Sequence, residues 1–413
     1  MALYEGIALI QEKQAVVLDL GTDYTKFGFT GEAAPRCIIK SEYWCATERR
    51  FKRVHDYSSA EELYDNLVHM LHLLYFRYVL VNPKERKVVV VESLLTPTLF
   101  RETLAKVLFT HYEVSGVLWA DSARLCALPL GAPVVLVVAL GAAEAEVCAV
   151  VHGVPVLRAL QSQPLGARAL HAELARRLAA DNDGPVGLTP DQLEDIKVRM
   201  CFVASRERAL AWAAAEEGAA PADPALAAAP RDARYPLAGG AVRVSGATRA
   251  RTAEVLFARD NELASLPDII LQCILQCPID ARRALAESVL VTGGAAALPG
   301  LKARLAQELR HLVTQPPYSE RLHVRTFKFH RAPCHDNSSA WLGGALCGGA
   351  DAGGAGAAGG GGGGAGGGGR ALAREQYARA PRRRLRDWDC LLHNTPPDHP
   401  HWILIHLHHT LLT

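Results

Sequence analysis

The feature that most constrains this chain is a layout that occurs twice. Ala15–Leu20 is an apolar run ending at Gly21, and Thr25–Phe29 reads as a return strand. Val134–Ala139 repeats the pattern, with a turn at Gly141 and a return over Glu146–Val151. The two copies span Ala15–Gly31 and Val134–Gly153, and further strand and helix segments follow each. Such duplication predicts two related halves facing each other across a cleft. Ligands of open α/β sheets sit beyond the strand ends, so both glycine turns are expected at that cleft. A chain of 413 residues with 49% hydrophobic content can fill a core in each half.

The segments between the copies support an α/β reading. Lys40–Tyr57 is polar and irregular. A helix follows from about Ser59: Ser59 and Glu62 are spaced as a capping box, and Leu63, Leu67, Leu71 and Leu74 recur at helical intervals. Lys87–Val91 is a β-branched buried strand, and Thr96 with Pro97 opens a second helix. Pro164–Ala180 and Thr189–Ala204 are predicted helical, the latter with Thr189 as N-cap, Pro190 at the first position and Asp191 in the first turn. Ala213–Ala229 lacks bulky apolar residues and is predicted to be a mobile surface insertion. Ser288–Thr292 is a strand, Gly293–Gly294 a turn and Gly300–Leu312 a helix. Residues 352–369 are Gly and Ala only, the composition of a flexible linker.

The resulting division is as follows. Residues 1–14 form an extension. Residues 15–133 with 325–350 form a first lobe, shortened near 36–58. Residues 134–324 form a second lobe with an insertion near 205–235. Residues 351–370 are linker and 371–413 a disordered tail.

Several function classes are disfavoured. A net charge of +2 is too small for a dedicated nucleic-acid binder. The longest apolar run, Val134–Leu140, is too short to cross a bilayer, and Met1–Gln14 lacks the pattern of a signal peptide. The expectation is a cytoplasmic protein without membrane insertion. Cys273 and Cys277 share a helix face and read as small buried groups in a reducing compartment. The histidines His399, His401, His406, His408 and His409 fit no tetrahedral spacing, so no metal site is expected. Arg382–Arg384 reads as a solvated basic segment. Trp44, Trp119 and Trp341 read as core or interface aromatics. No glycine-flanked nucleophile turn surrounds Ser122, beside Asp121.

Ordered motifs add a resemblance. Leu18-Asp19-Leu20-Gly21-Thr22 with Lys26-Phe27-Gly28-Phe29-Thr30-Gly31-Glu32 resembles the first phosphate hairpin of the actin family. Glu194-Asp195-Ile196-Lys197, followed by Cys201-Phe202-Val203-Ala204, resembles its helix flanking the nucleotide. Cys277-Pro278-Ile279-Asp280-Ala281-Arg282, Thr292-Gly293-Gly294 with Leu298-Pro299-Gly300, and Trp341-Leu342-Gly343-Gly344 resemble the segment before the last sheet strand, the adenosine motif and the closing helix. The order is the family's, from about residue 15 to 348. Asn82-Pro83, the run Cys277–Arg282, the shortened front half and the opening Leu3-Tyr4-Glu5-Gly6 resemble one branch, the actin-related proteins at the pointed end of dynactin. The fold implied is the duplicated, ribonuclease-H-like α/β fold with two lobes around a nucleotide-type cleft.

The resemblance also shows what is missing. It places Asp19, Gly21, Thr22, Lys26, Gly141, Lys197, Gly293 and Gly294 at a degenerate nucleotide cleft. Asp19 would hold a magnesium-bound water, Thr22 would donate to phosphate and Lys26 would neutralise charge. Asp23 stands where the family has glycine; a like charge at about 4 Å costs roughly 1–4 kcal/mol, unless the side chain turns outward and caps the turn. The second hairpin reads Ala139-Leu140-Gly141-Ala142-Ala143, so the family's two aspartates are alanines. The water-positioning glutamine falls at Ser122. Val198 follows Lys197 in place of an acid, Leu298 takes the adenine-packing position, and Asn337-Ser338 replace a basic–aromatic pair. The reading is a non-catalytic chain that requires no cofactor, with passive binding of ATP or ADP with magnesium left open.

A front half too short for a projecting loop implies a cap. Head-to-tail filament contacts propagate unless one surface is absent, and Ser41–Arg53 has room only for a turn or short hairpin. The resemblance then implies a subunit that caps the pointed end of dynactin's actin-related filament. Its partners would be the filament subunits and other pointed-end subunits, and indirectly dynein and cargo, in the cytoplasm and cytoskeleton. Two alternatives stand beside it: an actin-related subunit of a nuclear chromatin remodeller, and an active ATPase, sugar kinase or chaperone on the same fold.

Overall fold

The structure, a computed structural model, describes residues 14–84, 86–216, 224–228, 230–237, 239–259, 264–353 and 371–379. The extension before Gln14, the Gly/Ala stretch from 354 to 370 and the arginine and histidine positions beyond 379 lie outside these residues.

The first hairpin is β1 (Val16–Leu20) and β2 (Tyr24–Phe29), extended by β3 (Cys37–Lys40). A small separate hairpin follows, β4 (Glu42–Cys45) with β5 (Arg50–Arg53). Then come β6 (Lys87–Glu92) and β7 (Gly116–Asp121), both parallel to β1 in the sheet order β3-β2-β1-β6-β7. In β6, Val88–Val91 are all buried, as a central strand covered on both faces requires. The second hairpin is β8 (Val134–Leu140) and β9 (Ala145–Val151), extended by β10 (Val154–Pro155), with β11 (Gln161–Gln163) also pairing to β9. A two-stranded ribbon, β12 (Ala233–Leu237) with β13 (Gly240–Val244), stands apart. The last strand of the second sheet, β14 (Val289–Thr292), lies parallel to β8, and a single parallel bridge joins Val289 to Phe329 beyond it. The two sheets thus repeat one strand order.

Each half has its own core. Phe27, Phe29, Leu63, Leu67 and Leu71 lie in the first, and Leu136, Val138, Ile270, Leu301 and Leu305 in the second. Two helices lie between the sheets. Ser122–Ala127 turns Ala123, Cys126 and Ala127 toward Val135, Val137 and Leu290 of the second sheet. The closing helix, Ser339–Gly353, packs Trp341 and Ala345 on Val17, Val89 and Val91 of the first. Trp341 is fully buried, and its indole N–H donates to the Val17 carbonyl at 3.2 Å. A Cβ at Gly343 would stand 2.0 Å from the Leu125 carbonyl oxygen, so only glycine lets the two helices touch.

Local expectations hold unevenly. Thr189 and Gln192 form a reciprocal capping box. At the other predicted box, Ser59 caps the Glu62 amide, but the Glu62 carboxylate turns to Ser58 instead. Pro97 is itself the cap residue of helix Thr98–Lys106. The helix opened by Thr189 ends at Met200 rather than Ala204, because Cys201 is extended and Val203 bonds to the Pro299 carbonyl. The helix expected from Pro164 begins at Ala167, where Ala167 and Arg168 bond to the carbonyls of Gly141 and Ala142. The Ala/Pro-rich insertion begins inside helix Arg206–Glu216, anchored by buried Trp212.

Part of the expected disordered tail is folded. Residues 371–379 place β15 (Leu372–Ala373) antiparallel on the edge of β7, followed by a short helix, Arg374–Arg379. Leu372 is buried and Tyr377 stacks on Phe109 at 4.6 Å. Two apolar side chains and an open sheet edge outweigh the polar composition that suggested disorder.

Candidate functional site

A cleft of about 890 Å³ separates the halves, and both glycine turns line it. All eight residues expected there (Asp19, Gly21, Thr22, Lys26, Gly141, Lys197, Gly293 and Gly294) border this space. Gly293 needs its residue type most: its φ is +97°, and a Cβ would lie 2.2 Å from the Leu140 carbonyl oxygen. No atom lies within 4 Å of where a Cβ would sit at Gly294.

Strand register sets the chemistry of each hairpin. Asp19 and Lys26 are direct partners across β1 and β2, and their side chains form an ion pair of 2.7 Å. The matching pair across β8 and β9 is Ala139 and Glu146. Here the carboxylate partner is a methyl group and the cation is an acid. Glu146 instead accepts a hydrogen bond from the Ser93 hydroxyl, at the end of β6, at 2.7 Å. Burial pushes its carboxyl up to about 7, against the pull of that hydroxyl. Asp121, at the end of β7, caps the helix Ser122–Ala127 through one oxygen. Its other oxygen is buried without a partner, and burial raises this carboxyl to about 6 against the Arg124 and Ala123 amides.

The second wall is built on helix Pro190–Met200. Glu194 accepts from Lys197 at 2.5 Å and from His171 at 2.8 Å. Burial alone would raise Glu194, but these two hydrogen bonds outweigh it and hold the carboxyl at about 2. Lys197 is itself buried.

Two ion pairs and a hydrogen bond tie the front of the first half to the second across the cleft. Asp23 accepts from Arg168 at 2.7 Å, Lys40 donates to Asp191 at 2.6 Å, and Ser93 reaches Glu146. Asp23 therefore neither caps its own turn nor stands as a free charge: a cation of the opposite half meets it. Glu144 is also held, by the Ser162 hydroxyl at 2.7 Å.

This donor set fits a hydrated magnesium ion poorly. Asp19 is committed to Lys26, Ala139 and Ala142 contribute methyl groups, and Glu146 is held by Ser93. Among the described residues no group of three or more His, Cys, Asp or Glu side chains is arranged to hold a metal. Ser122 and Asn337 line the cleft, as does Val198. Leu298 does not: it is buried in the second core, and Ala297 takes the wall position. Sequence reasoning missed Glu146, Ser93 and Arg168. Glu146 had a signal, since it stands opposite Ala139 in a hairpin whose first copy pairs Asp19 with Lys26.

Among the described residues no helix is long and apolar enough to cross a membrane. The family model described as Actin matches residues 10–193 and 189–352. Actin-related protein 10 of Dictyostelium discoideum is 24% identical over 402 residues, covering 82% of this chain and 83% of that relative. Repeated sheets, a shared cleft and a family match over most of the length lead to one conclusion: the chain belongs to the actin family.

Proposed function

We propose that this actin-related chain is a non-catalytic subunit of dynactin that caps the pointed end of its actin-related filament. The observation that carries the reading is the front of the first half. Between Pro35 and Ser59 the chain forms β3 and one hairpin of two four-residue strands, with no projecting loop. A subunit with one complete lobe and one curtailed lobe docks at a filament end and offers no equivalent face to a further subunit. The curtailed lobe is then free for other pointed-end subunits, and through them for dynein-driven transport in the cytoplasm. The likeness to an actin-related protein 10 supports this branch over a remodeller subunit.

The cleft takes nucleotide passively or not at all. Thr22 lines the cleft toward an anionic group, but Lys26 and Lys197 are already paired with Asp19 and Glu194, the carboxylate that would organise magnesium and an attacking water is absent at Ala139, and the one that would bind ribose is absent at Ala142. The test is gentle purification of the tagged full chain, with sizing, mass identification and an ATP assay. Co-elution in a very large assembly with an actin-related filament and motor components supports the reading. Co-elution with nucleosome-remodelling subunits, or recovery as a monomer that hydrolyses ATP, overturns it.

A further inference from the structure

The hairpin that replaces the missing loop is built to be touched. Its inner face is fixed: the Tyr43 hydroxyl donates to Asn66 at 2.8 Å, the Tyr43 ring stacks on His69 at 4.8 Å, and the Asn66 amide donates to the Val54 and Asp56 carbonyls. Its outer face carries Trp44 and Phe51, direct cross-strand partners. Their rings meet edge to face at 5.2 Å, yet the residues remain 55% and 61% exposed. A rigid pair of large aromatics held in water is the composition of an interface centre.

The surrounding charge identifies the occupant. The hairpin carries Glu42 and Glu48 against Arg49, Arg50, Lys52 and Arg53. Glu48 is taken by Arg50 and Lys52, and Glu42 faces Lys40 at 3.7 Å. Among the described residues no ion pair is made by Arg49 or Arg53. Arg53 shares the outer face with Trp44 and Phe51, two positions along β5, and Arg49 sits in the exposed turn with φ at +50°. Glu42 stands directly opposite Arg53 across the hairpin but also faces Lys40, so the patch is aromatic at its centre and carries net positive charge at its rim.

We infer that the outer face of β4–β5 is a docking surface for an acidic protein segment carrying an apolar anchor, the anchor seated on Trp44 and Phe51 and the acids met by Arg49 and Arg53. This deepens the pointed-end reading, on which it rests for the segment belonging to another subunit of the same assembly. The surface itself stands on the hairpin alone.

The test uses the full chain and three short fluorescent peptides. One places a Leu–Phe pair among Glu and Asp, one places the same pair among Lys, and one keeps the acids but replaces the pair by Ala. The first should bind saturably and at least about tenfold more tightly than the others, weakening with salt. Trp44→Ser with Phe51→Ser, or Arg49→Glu with Arg53→Glu, should each remove about tenfold or more. Circular dichroism should be unchanged, because these side chains are not in the core. Equal binding of all three peptides, or insensitivity to both double variants, overturns the proposal. So does preferential binding to phosphatidylserine vesicles, or self-association through the patch. Filament-end capping by the same variants separates the two ideas: loss of peptide binding with capping retained leaves both standing, whereas a wild-type chain that binds peptide but does not cap removes only the pointed-end reading.

Discussion

The two glycine-turn hairpins share backbone and register but not chemistry. In the first, Asp19 and Lys26 satisfy each other across β1 and β2. In the second, the same two places hold Ala139 and Glu146, and the acid draws its hydrogen bond from Ser93 of the opposite half. One backbone and register serve both hairpins, while the second turns its acid toward holding the halves together. Strand pairing and core packing fix the fold, and they are indifferent to what two side chains at the cleft can do.

The comparison is most severely tested at the helix that packs behind the first hairpin. Trp341→Ala removes a fully buried indole from between the closing helix and β1. The expected loss, measured by urea unfolding, is about 3–5 kcal/mol. A loss under about 1 kcal/mol would show that the closing helix is held to the first sheet elsewhere.

The next effect separates the two hairpins by pH. Glu146 moves from 4.5 to about 7 on folding, so the native state binds this proton more tightly. Its contribution is complete below about 4.5 and is lost as pH rises through 7. Stability should therefore fall across that window by on the order of 2–3 kcal/mol, and Glu146→Gln should remove most of the slope, leaving the smaller part from Asp121. An unchanged slope in a pH series of melts would mean that Glu146 is ionised in the fold.

A smaller contrast lies in the turns. A Cβ at Gly21 would stand 2.7 Å from the Tyr24 carbonyl oxygen, and one at Gly141 3.1 Å from that of Glu144. Gly21→Ala should cost about 2 kcal/mol and Gly141→Ala about 1 kcal/mol or less. The reverse order in denaturant midpoints would break the assignment of the first turn as the tighter one. Smallest of all is Asp23→Ala. Arg168 is 46% exposed, so the loss should stay below about 1 kcal/mol and vanish in high salt.

Much of this was legible because it is local. Gly21, Gly141 and Gly293 mark turns, Thr189 and Gln192 cap a helix, and valine runs mark central strands. What escaped depends on partners far along the chain. Asp23 meets a residue 145 positions away, and Ser93 one 53 positions away. No local pattern around Asp23 distinguishes an outward cap from a bridge to Arg168. Leu298 was misplaced for the same reason: an apolar residue after a glycine turn fits a cleft wall or a core equally, and only packing against the second core decides. The stretch Ser41–Arg53 had room for a hairpin by length, but the burial of Tyr43 and exposure of Trp44 follow from which face meets Asn66 and His69. The segment 371–379 is too short to announce itself; the open edge of β7 gives it a place.

The most direct test of the capping account is subunit addition at the ends of single actin-related filaments, watched with the purified full chain present. Growth should stop at the pointed end and continue at the other. Filaments that incorporate the chain and extend from both of its faces would contradict the account.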